Sequence, residues 1–345
     1  MKKMLALLLA LVMVLSLAAC ASSQPAAAST ETAETTETTE PAAEESAEAP
    51  AESGKTYTVG VCQLVQHEAL DAATQGFIDA LKEELGDAVT VDAQNASGDS
   101  VNCGTIVNGF VSKGVDLIMA NATPALTAAV SATADIPILG TSITAYGVAL
   151  DIDDFNGTVG GNVSGTSDLA DLQAQAQMIL DWFPETKTVG LLFCSAEPNS
   201  RYQIDEVRKA LEAQGVTCEE FAFTDSNDVS SVTQKAADFS DVVYIPTDNT
   251  AASNTEAIAN VLIPAGVPAV CGEEGLCRGC GVATLSISYY DLGVTTGKMA
   301  AKILKGEADI STMPVEYTDA TPKYNASVCE QLGITPLDGY EAIDG

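Results

Sequence analysis

The sequence predicts an α/β protein of two lobes, each built on a doubly wound parallel sheet, joined by a hinge. The first observation is a short apolar run of β-forming residues, Val242–Ile245, which Pro246 ends and which a polar loop and a helical stretch follow. The second is that residues 116–125 repeat this unit of strand and polar loop, again before a helix, earlier in the chain. The third is a match between residues 58–61 and 188–191, offset by roughly half the mature length.

The N-terminus has the features of a lipoprotein signal peptide, which we predict for residues 1–20. Lys2 and Lys3 precede an apolar run over residues 4–17, and small residues then lead to Cys20. A cysteine directly after Leu-Ala-Ala resembles a bacterial lipobox, which implies cleavage before Cys20 and lipidation of its thiol. Cys20 is therefore the expected lipid anchor. The alternative is an ordinary secretory signal in which this cysteine is incidental.

Residues 21–56 are expected to form a disordered acidic tether. Most of the segment consists of Ala, Thr, Glu, Ser and Pro, and residues 21–53 contain no aromatic side chain. Such a composition cannot bury enough apolar surface to fold, and the repelling glutamates extend it. The tether would hold a globular body, beginning at Tyr57, away from a membrane.

Charge and cysteine content restrict the function and the compartment. The chain has 48 acidic against 15 basic residues and a formal charge of −33, which argues against nucleic acid as a partner because that binding needs a basic surface. Besides Cys20, the cysteines are Cys62, Cys103, Cys194, Cys218, Cys271, Cys277, Cys280 and Cys329. Their even number is compatible with disulfides outside the cell, whereas cysteines in strands also pack as small apolar residues. Both alternatives stay open.

The first lobe is predicted over residues 57–165 and 283–320. Besides the strand that opens the 116–125 unit, strands are expected at residues 57–65, 89–93 and 136–139, and helices at 71–85, 101–113 and 126–134. Residues 148–150 are a candidate fifth strand. The glycine-rich residues 157–165 are expected to be a loop that leads into the crossing between the lobes.

The second lobe is predicted over residues 166–282 and 321–345. Besides Val242–Ile245, strands are expected at residues 188–194, 217–223 and 267–270, and helices at 169–182, 201–214, 229–239 and 251–262. A strand at residues 283–287 is expected to return to the first lobe. A helix over residues 289–304 then precedes an irregular C-terminal segment.

Two motifs suggest other chemistry but are incomplete. Residues 293–299 resemble a phosphate loop, yet one residue is missing between the glycines and Met299 replaces the magnesium-binding hydroxyl. Cys277 and Cys280 form a single Cys-x-x-Cys in an expected loop, where a disulfide or free thiols compete with a redox or metal role. The chain has one histidine and no nucleophile elbow. We therefore expect no catalytic residue, no metal and no cofactor.

Residues beyond the carboxyl ends of the strands are the expected ligand contacts, because open α/β sheets bind ligands there. Asp248 stands at a predicted helix N-terminus, where it either caps the helix or pairs with a ligand ammonium group. Asn249 could add a hydrogen bond. Thr123 precedes the mirrored helix, whose free N–H groups can take a carboxylate. His67 follows the first strand and is either a cleft contact or a surface or packing residue.

At these residues the chain resembles the bacterial ABC-transporter substrate-binding lipoproteins of the tryptophan/tyrosine uptake type. The resemblance covers residues 57–333 and depends on six stretches taken together: residues 66–71, 122–125, 165–168, 246–250, 273–275 and 297–306. It implies a type I periplasmic-binding-protein fold with the ligand between the lobes, and an aromatic amino acid as the ligand class. Two departures are Pro198, where a small residue is expected, and the Cys277 and Cys280 pair.

Nine residues are expected to contact the ligand: Gln66, His67, Ala122, Thr123, Ser195, Asn199, Asp248, Asn249 and Glu274. The predicted function is that of a monomeric, lipid-anchored, extracytoplasmic receptor that hands an amino acid to the permease of an ABC importer. The alternative is a sensor module that binds a similar ligand and signals through a membrane partner. An enzyme is disfavoured because no complete catalytic motif is present.

Overall fold

The structure, a computed structural model, describes residues 54–343. The predicted signal peptide, Cys20 and the predicted tether up to residue 53 lie outside these residues. The described residues form thirteen strands and twelve α-helices.

The strands are β1 (Tyr57–Gln63), β2 (Val89–Asn95), β3 (Leu117–Asn121), β4 (Ile138–Ile143), β5 (Val163–Ser167), β6 (Thr188–Cys194), β7 (Thr217–Phe223), β8 (Val242–Ile245), β9 (Ala269–Cys271), β10 (Ala283–Ser286), β11 (Glu316–Tyr317), β12 (Thr321–Tyr324) and β13 (Glu341–Ala342). The helices are α1 (Glu68–Leu85), α2 (Ser100–Lys113), α3 (Thr123–Ala132), α4 (Tyr146–Ala149), α5 (Leu172–Trp182), α6 (Pro198–Glu212), α7 (Val229–Phe239), α8 (Asn249–Ala252), α9 (Thr255–Ala265), α10 (Glu274–Cys280), α11 (Tyr289–Lys305) and α12 (Ala326–Leu332).

The two sheets share one strand order, except that the second has an additional edge strand, β13. The first sheet runs β11-β5-β4-β3-β1-β2, and every neighbouring pair in it is parallel. The second runs β13-β12-β10-β9-β8-β6-β7 and is parallel except where β10 meets β12. The strand order therefore reverses between β1 and β3 in one sheet and between β6 and β8 in the other. Ligands of such sheets bind at these reversals, beyond the carboxyl ends of the strands.

The inner strands are buried on both faces because helices cover both faces of each sheet. Leu117 and Ile118 of β3 are fully buried in two different apolar clusters, as expected for side chains that alternate across a sheet. In the second sheet, Val242 and Val243 of β8 divide in the same way. This double burial explains why the inner strands read as continuous apolar runs.

Helices α1 and α11 lie in close contact beside the first sheet. A Cβ atom at Gly293 would collide with the carbonyl oxygen of Ala73, and one at Gly76 would collide with that of Tyr290. Gly293, in the segment that resembles a phosphate loop, and Gly76, in α1, therefore allow the backbones of the two helices to approach each other.

The chain crosses between the lobes three times. The first lobe consists of the first sheet with α1–α4 and α11, and the second lobe of the second sheet with α5–α10 and α12. The crossings are residues 168–171, 287–288 and 318–320. Strand β10 was expected in the first lobe, but it pairs with β9 in the second sheet, and the Val282 N–H donates to the Ala269 carbonyl at 2.8 Å. The short helix α10 makes the crossover between these parallel neighbours, so the chain changes lobe only after β10.

Several predicted elements are wrong in detail. Residues 148–150 are not a strand, because α4 ends there. The fifth strand is β5, which begins within the segment 157–165 that was expected to be a loop. β5 lacks an apolar pattern since Gly165 lies against the backbone of Gly140 and has no room for a side chain. The Cys277 and Cys280 pair lies in α10 and not in a loop. The C-terminal segment, expected to be irregular, contains β11, β12, α12 and β13.

Candidate ligand-binding site

A small cavity lies where the loops beyond both sheets meet the crossings. Both lobes and the first crossing contribute to its lining. In chain order, the lining residues are His67, Leu70, Ser142, Thr144, Asp168, Asn199, Thr247, Asp248, Asn249, Ala252, Glu273 and Tyr289. The remaining space is about 10 Å³, enough for about one water molecule. A larger ligand can therefore enter only when the lobes move apart.

Direct contacts between the lobes close this cavity. His67 Nε2 lies 3.2 Å from Asn249 Oδ1, and the hydroxyl groups of Thr144 and Thr247 lie 3.3 Å apart. At the outer edge, Arg278 of the second lobe forms an ion pair of 3.1 Å with Glu68 of the first. Burial lowers the pKa of His67, which favours its neutral form. Each of these contacts must break when the lobes separate.

Asp168, in the first crossing, lines the cavity and has one buried carboxylate oxygen without a hydrogen-bond partner. Its side chain is 5% exposed, and the Tyr289 hydroxyl donates to Oδ2 at 2.7 Å. Its Oδ1 has no hydrogen-bond partner in the described structure. Burial raises the pKa of this carboxyl group, against the opposing effect of the Tyr289 and Thr144 hydroxyls. A donor group of a ligand would satisfy Oδ1 and favour the ionised carboxylate.

Glu273 supplies a second buried carboxyl group from the second lobe. It is 3% exposed and caps α10 by accepting the N–H groups of Gly275 and Leu276. Burial, with the nearby carboxylates of Glu68 and Asp168, raises its pKa to about 7, although the two N–H donors oppose the shift.

Asp248 is held entirely within the second lobe. Its Oδ1 accepts the Ala251 N–H at 2.8 Å, and its Oδ2 accepts the Cys194 N–H at 2.6 Å and the Ser200 hydroxyl at 2.8 Å. Burial and the neighbouring Glu197 raise the pKa of Asp248 to about 8. Because both oxygens already have donors, the geometry supports the capping alternative and not a pair with a ligand ammonium group.

Glu197 organises the loop beyond β8. Its carboxylate accepts the Asn249 N–H at 3.0 Å and the Thr250 N–H at 2.9 Å. It also accepts the side-chain amide of Asn249 at 2.6 Å and the hydroxyl of Thr250 at 2.8 Å. The Asn249 side chain is thereby oriented toward His67. Glu197 joins the loops beyond β6 and β8, the two strands at the reversal of the second sheet.

The structure divides the nine predicted contact residues. His67, Asn199, Asp248 and Asn249 line the cavity. The other five are not among its lining residues: Gln66 and Ser195 are exposed, Ala122 and Thr123 are buried, and Glu274 faces a neighbouring cleft. Ala122 has a φ of 89°, and the hydroxyl of Ser195 donates to the Phe223 carbonyl. Glu274 binds Lys323 at 2.7 Å and Arg278 at 2.9 Å, so its neighbour Glu273 takes the expected position.

The sequence reasoning missed several residues that line the cavity: Leu70, Ser142, Thr144, Asp168, Ala252, Glu273 and Tyr289. A signal existed for Asp168 and Glu273, which lie in the stretches that carry the family resemblance. Ser142 carries a different signal, visible only in the structure, since its φ of 56° is strained for a residue with a side chain.

The cysteines play no part in this cavity. The eight cysteines of the described residues carry free thiols, and all except Cys218 are buried. Cys277 and Cys280 pack in the apolar core of the second lobe with Cys271. Within residues 54–343, no group of three or more His, Cys, Asp or Glu side chains could hold a metal ion.

Comparison with known proteins identifies the class of this chain. The model of a protein family described as ABC transporter substrate binding protein matches residues 58–339. The chain belongs to the ABC transporter substrate-binding protein family. Members of this family are non-enzymatic, extracytoplasmic components of transporters. Over the part of the chain that the structure describes, no helix is both long enough and apolar enough to cross a membrane.

Individual relatives agree with this assignment. The tyrosine-binding protein of Clostridioides difficile (strain R20291) is 32% identical over 276 residues, 78% of this chain and 79% of that protein. A solved ABC domain from Streptococcus pneumonia in complex with L-Trp is 32% identical, with a TM-score of 0.79 over 84% of this chain and all of that one. The predicted two-lobed fold of the type I periplasmic binding proteins is thus confirmed.

A third relative differs in the arrangement of its lobes. The ligand-free, open structure of a substrate-binding protein with adhesive properties from Clostridium difficile is also 32% identical and covers 84% of this chain and 99% of its own. Its TM-score is only 0.64. Both relatives are 32% identical to the present chain and cover 84% of it. The present chain is therefore closer in shape to the tryptophan complex than to the open, ligand-free structure.

Proposed function

We propose that this chain is the lipid-anchored receptor of an ABC importer and binds an aromatic amino acid, tryptophan or tyrosine, between its lobes. The observation that carries the proposal is the unpaired Oδ1 of Asp168, a buried carboxylate oxygen in the cavity between the lobes. The ammonium group of an amino acid is a hydrogen-bond donor whose positive charge is opposite to that of a carboxylate. The tyrosine-binding relative and the tryptophan complex supply the aromatic class.

Ligand capture would proceed by closure of the lobes. In an open form, the cleft beyond the strand ends admits the amino acid, and closing then removes water from around its ammonium group. Charge pairs are screened less when water is excluded, so the Asp168 contact strengthens on closure. The contacts of His67 with Asn249 and of Thr144 with Thr247 are available to hold closed lobes together. Opening at the permease would release the ligand.

The predicted anchor would keep this cycle beside the permease. Cys20 would carry the lipid, and the acidic segment after it would act as a flexible spacer. Membrane fractionation tests this part: Cys20→Ala should move the protein into the soluble fraction. An unchanged membrane-bound pool would contradict lipidation at that residue.

Thermal-shift screening against the amino acids tests the ligand class. A ligand that binds only the folded state raises the melting temperature. At a ligand concentration about one hundred times Kd, it increases the free energy of unfolding by about 2.7 kcal/mol. We expect stabilisation by L-tryptophan or L-tyrosine and none by acidic amino acids, which would bring further negative charge to the carboxyl groups of the cavity. Stabilisation by acidic or by non-aromatic amino acids alone would contradict the proposal.

A further inference from the structure

The charges around the cavity are unequal. Three carboxyl groups line it, those of Asp168, Asp248 and Glu273, and no lysine or arginine is among the described residues that do so. The nearby Lys323 lies in the next cleft, where it pairs with Glu274 at 2.7 Å. A ligand carboxylate inside the closed cavity therefore meets carboxyl groups and no compensating cation.

The unpaired atoms of the lining favour a donor in the same way. Asp168 is 5% exposed, Asn199 5% and Ser142 6%, and each has one oxygen without a hydrogen-bond partner. The free oxygens of Asp168 and Asn199 can only accept a hydrogen bond, while the hydroxyl of Ser142 can donate or accept. An ammonium group has three N–H donors and a positive charge, so in charge and hydrogen-bonding capacity it suits such acceptors. A carboxylate can use only the hydroxyl.

We propose that the cavity recognises primary ammonium groups and does not require a carboxylate, so that aromatic amines such as tryptamine and tyramine are also ligands. The inference rests on the proposed function for its aromatic component, and it names Asp168 as the acceptor of the ammonium group. No lysine or arginine among the described lining residues would pair with a ligand carboxylate. Removing that carboxylate therefore changes affinity little.

Calorimetric titration of four compounds tests the proposal: L-tryptophan, tryptamine, N-acetyl-L-tryptophan and indole-3-propionate. Tryptamine should bind within about fivefold of L-tryptophan, because the carboxylate that it lacks has no cationic partner in the cavity. The two compounds without a primary ammonium group should lose at least about thirtyfold relative to tryptamine, the lower end of the effect of truncating a buried charged pair. A larger loss for tryptamine, or equal binding of indole-3-propionate, would overturn the inference. Tyrosine and tyramine form a parallel pair if tyrosine is the tighter ligand.

A matched pair of variants assigns the effect to one residue. Asp168→Asn should weaken the binding of tryptamine and L-tryptophan by roughly thirtyfold or more and should not weaken that of indole-3-propionate, which has no ammonium group. Asp319→Asn is the same substitution in the third crossing, on an exposed side chain outside the cavity lining, and should change none of them. Equal affinity of wild type and Asp168→Asn for tryptamine would overturn the assignment.

These results separate the inference from the proposed function. Binding of L-tryptophan or L-tyrosine without their amines would preserve the proposed function and refute the inference. Binding of the amines alone would support the inference and refute an amino acid as the ligand. If none of the aromatic compounds binds, both are wrong.

Discussion

Asp248→Ala should lower the stability of this protein strongly and change its ligand affinity little. The substitution removes the acceptor of three buried donors: the N–H of Cys194, the hydroxyl of Ser200 and the N–H of Ala251. The residues that carry these donors are each 2% exposed or less. A buried donor left without an acceptor costs about 1–3 kcal/mol, so we expect a loss of at least about 3 kcal/mol.

The corresponding fall in melting temperature is roughly 6–12 °C, since 1 kcal/mol shifts a chain of comparable size by about 2–4 °C. Differential scanning calorimetry measures this change, and isothermal titration measures the affinity for L-tryptophan and L-tyrosine. The affinity should stay within about threefold, because the lining carboxylate with an unpaired oxygen is Asp168 and not Asp248. This figure corresponds to less than about 1 kcal/mol.

Ser200→Ala is the matched control for Asp248→Ala. It deletes one of the three donors and leaves the Asp248 carboxylate with the other two, so it should lose only about 0.5–1.5 kcal/mol. The reasoning is refuted if Asp248→Ala melts like the wild type and no longer binds ligand. That result would assign the ligand ammonium to Asp248, the alternative that the sequence left open.

Three further predictions concern pH, the contact between the lobes and the thiols. The ligand-free protein should lose stability as the pH rises from about 5 to about 8. Burial raises the pKa of Glu273 to about 7 and that of Asp248 to about 8. The stability that these two groups contribute is complete below their unfolded-state pKa values near about 4 and is lost as the pH passes their raised folded-state values. Asp168, whose pKa burial also raises, acts in the same sense, whereas His67, whose pKa is lowered, acts in the opposite sense as one group against three. A melting temperature that rises steadily over this range would contradict the sign. Glu68→Gln, which removes the ion pair with Arg278 across the lobes, should weaken ligand binding by at most about fivefold because both side chains are partly exposed. The control is Glu84→Gln, which removes an ion pair with Lys305 within one lobe and should not change ligand affinity. If titration calorimetry shows equal changes in affinity for both variants, the ion pair of Glu68 does not act through closure of the lobes. In a Cys20→Ala chain, thiol titration after denaturation without reductant should find eight thiols, and reductant should change neither melting temperature nor affinity; fewer thiols would reveal a disulfide.

Local patterns were sufficient to predict the inner strands and several helices. The bounds of β6, β7, β8 and α7 agree with the sequence prediction, because each combines a continuous or amphipathic apolar pattern with a clear end. The mirrored units around β3 and β8 likewise occupy equivalent places in the two sheets. These features depend on neighbours close in sequence.

The parts that failed depend on contacts between distant residues. β5 has no apolar pattern because Gly165 lies against Gly140 and its polar side chains bond within the fold, as Thr166 does with Thr141 and Thr296. β10 has the pattern of an inner strand, but its lobe is decided by pairing with β9. No local rule distinguishes these arrangements.

The residues that line the cavity divide in the same way, into those predicted from local patterns and those that depend on distant contacts. His67, Asn199, Asp248 and Asn249 were predicted from their places beyond strand ends. Asp168 and Tyr289 are 121 positions apart in the chain and meet only because the first crossing lies beside the start of α11. The choice of Glu273 over Glu274 depends on which carboxylate caps α10 and which one binds Lys323.

A crystal structure of the protein grown with L-tryptophan or L-tyrosine tests the central claim most directly. The account predicts that the amino acid lies between the lobes, with its ammonium nitrogen about 2.7–2.9 Å from Oδ1 of Asp168. The hydroxyl of Tyr289 should still donate to Oδ2. A ligand bound outside this cavity, or one whose ammonium group contacts Asp248 while Oδ1 of Asp168 stays unpaired, would contradict the account.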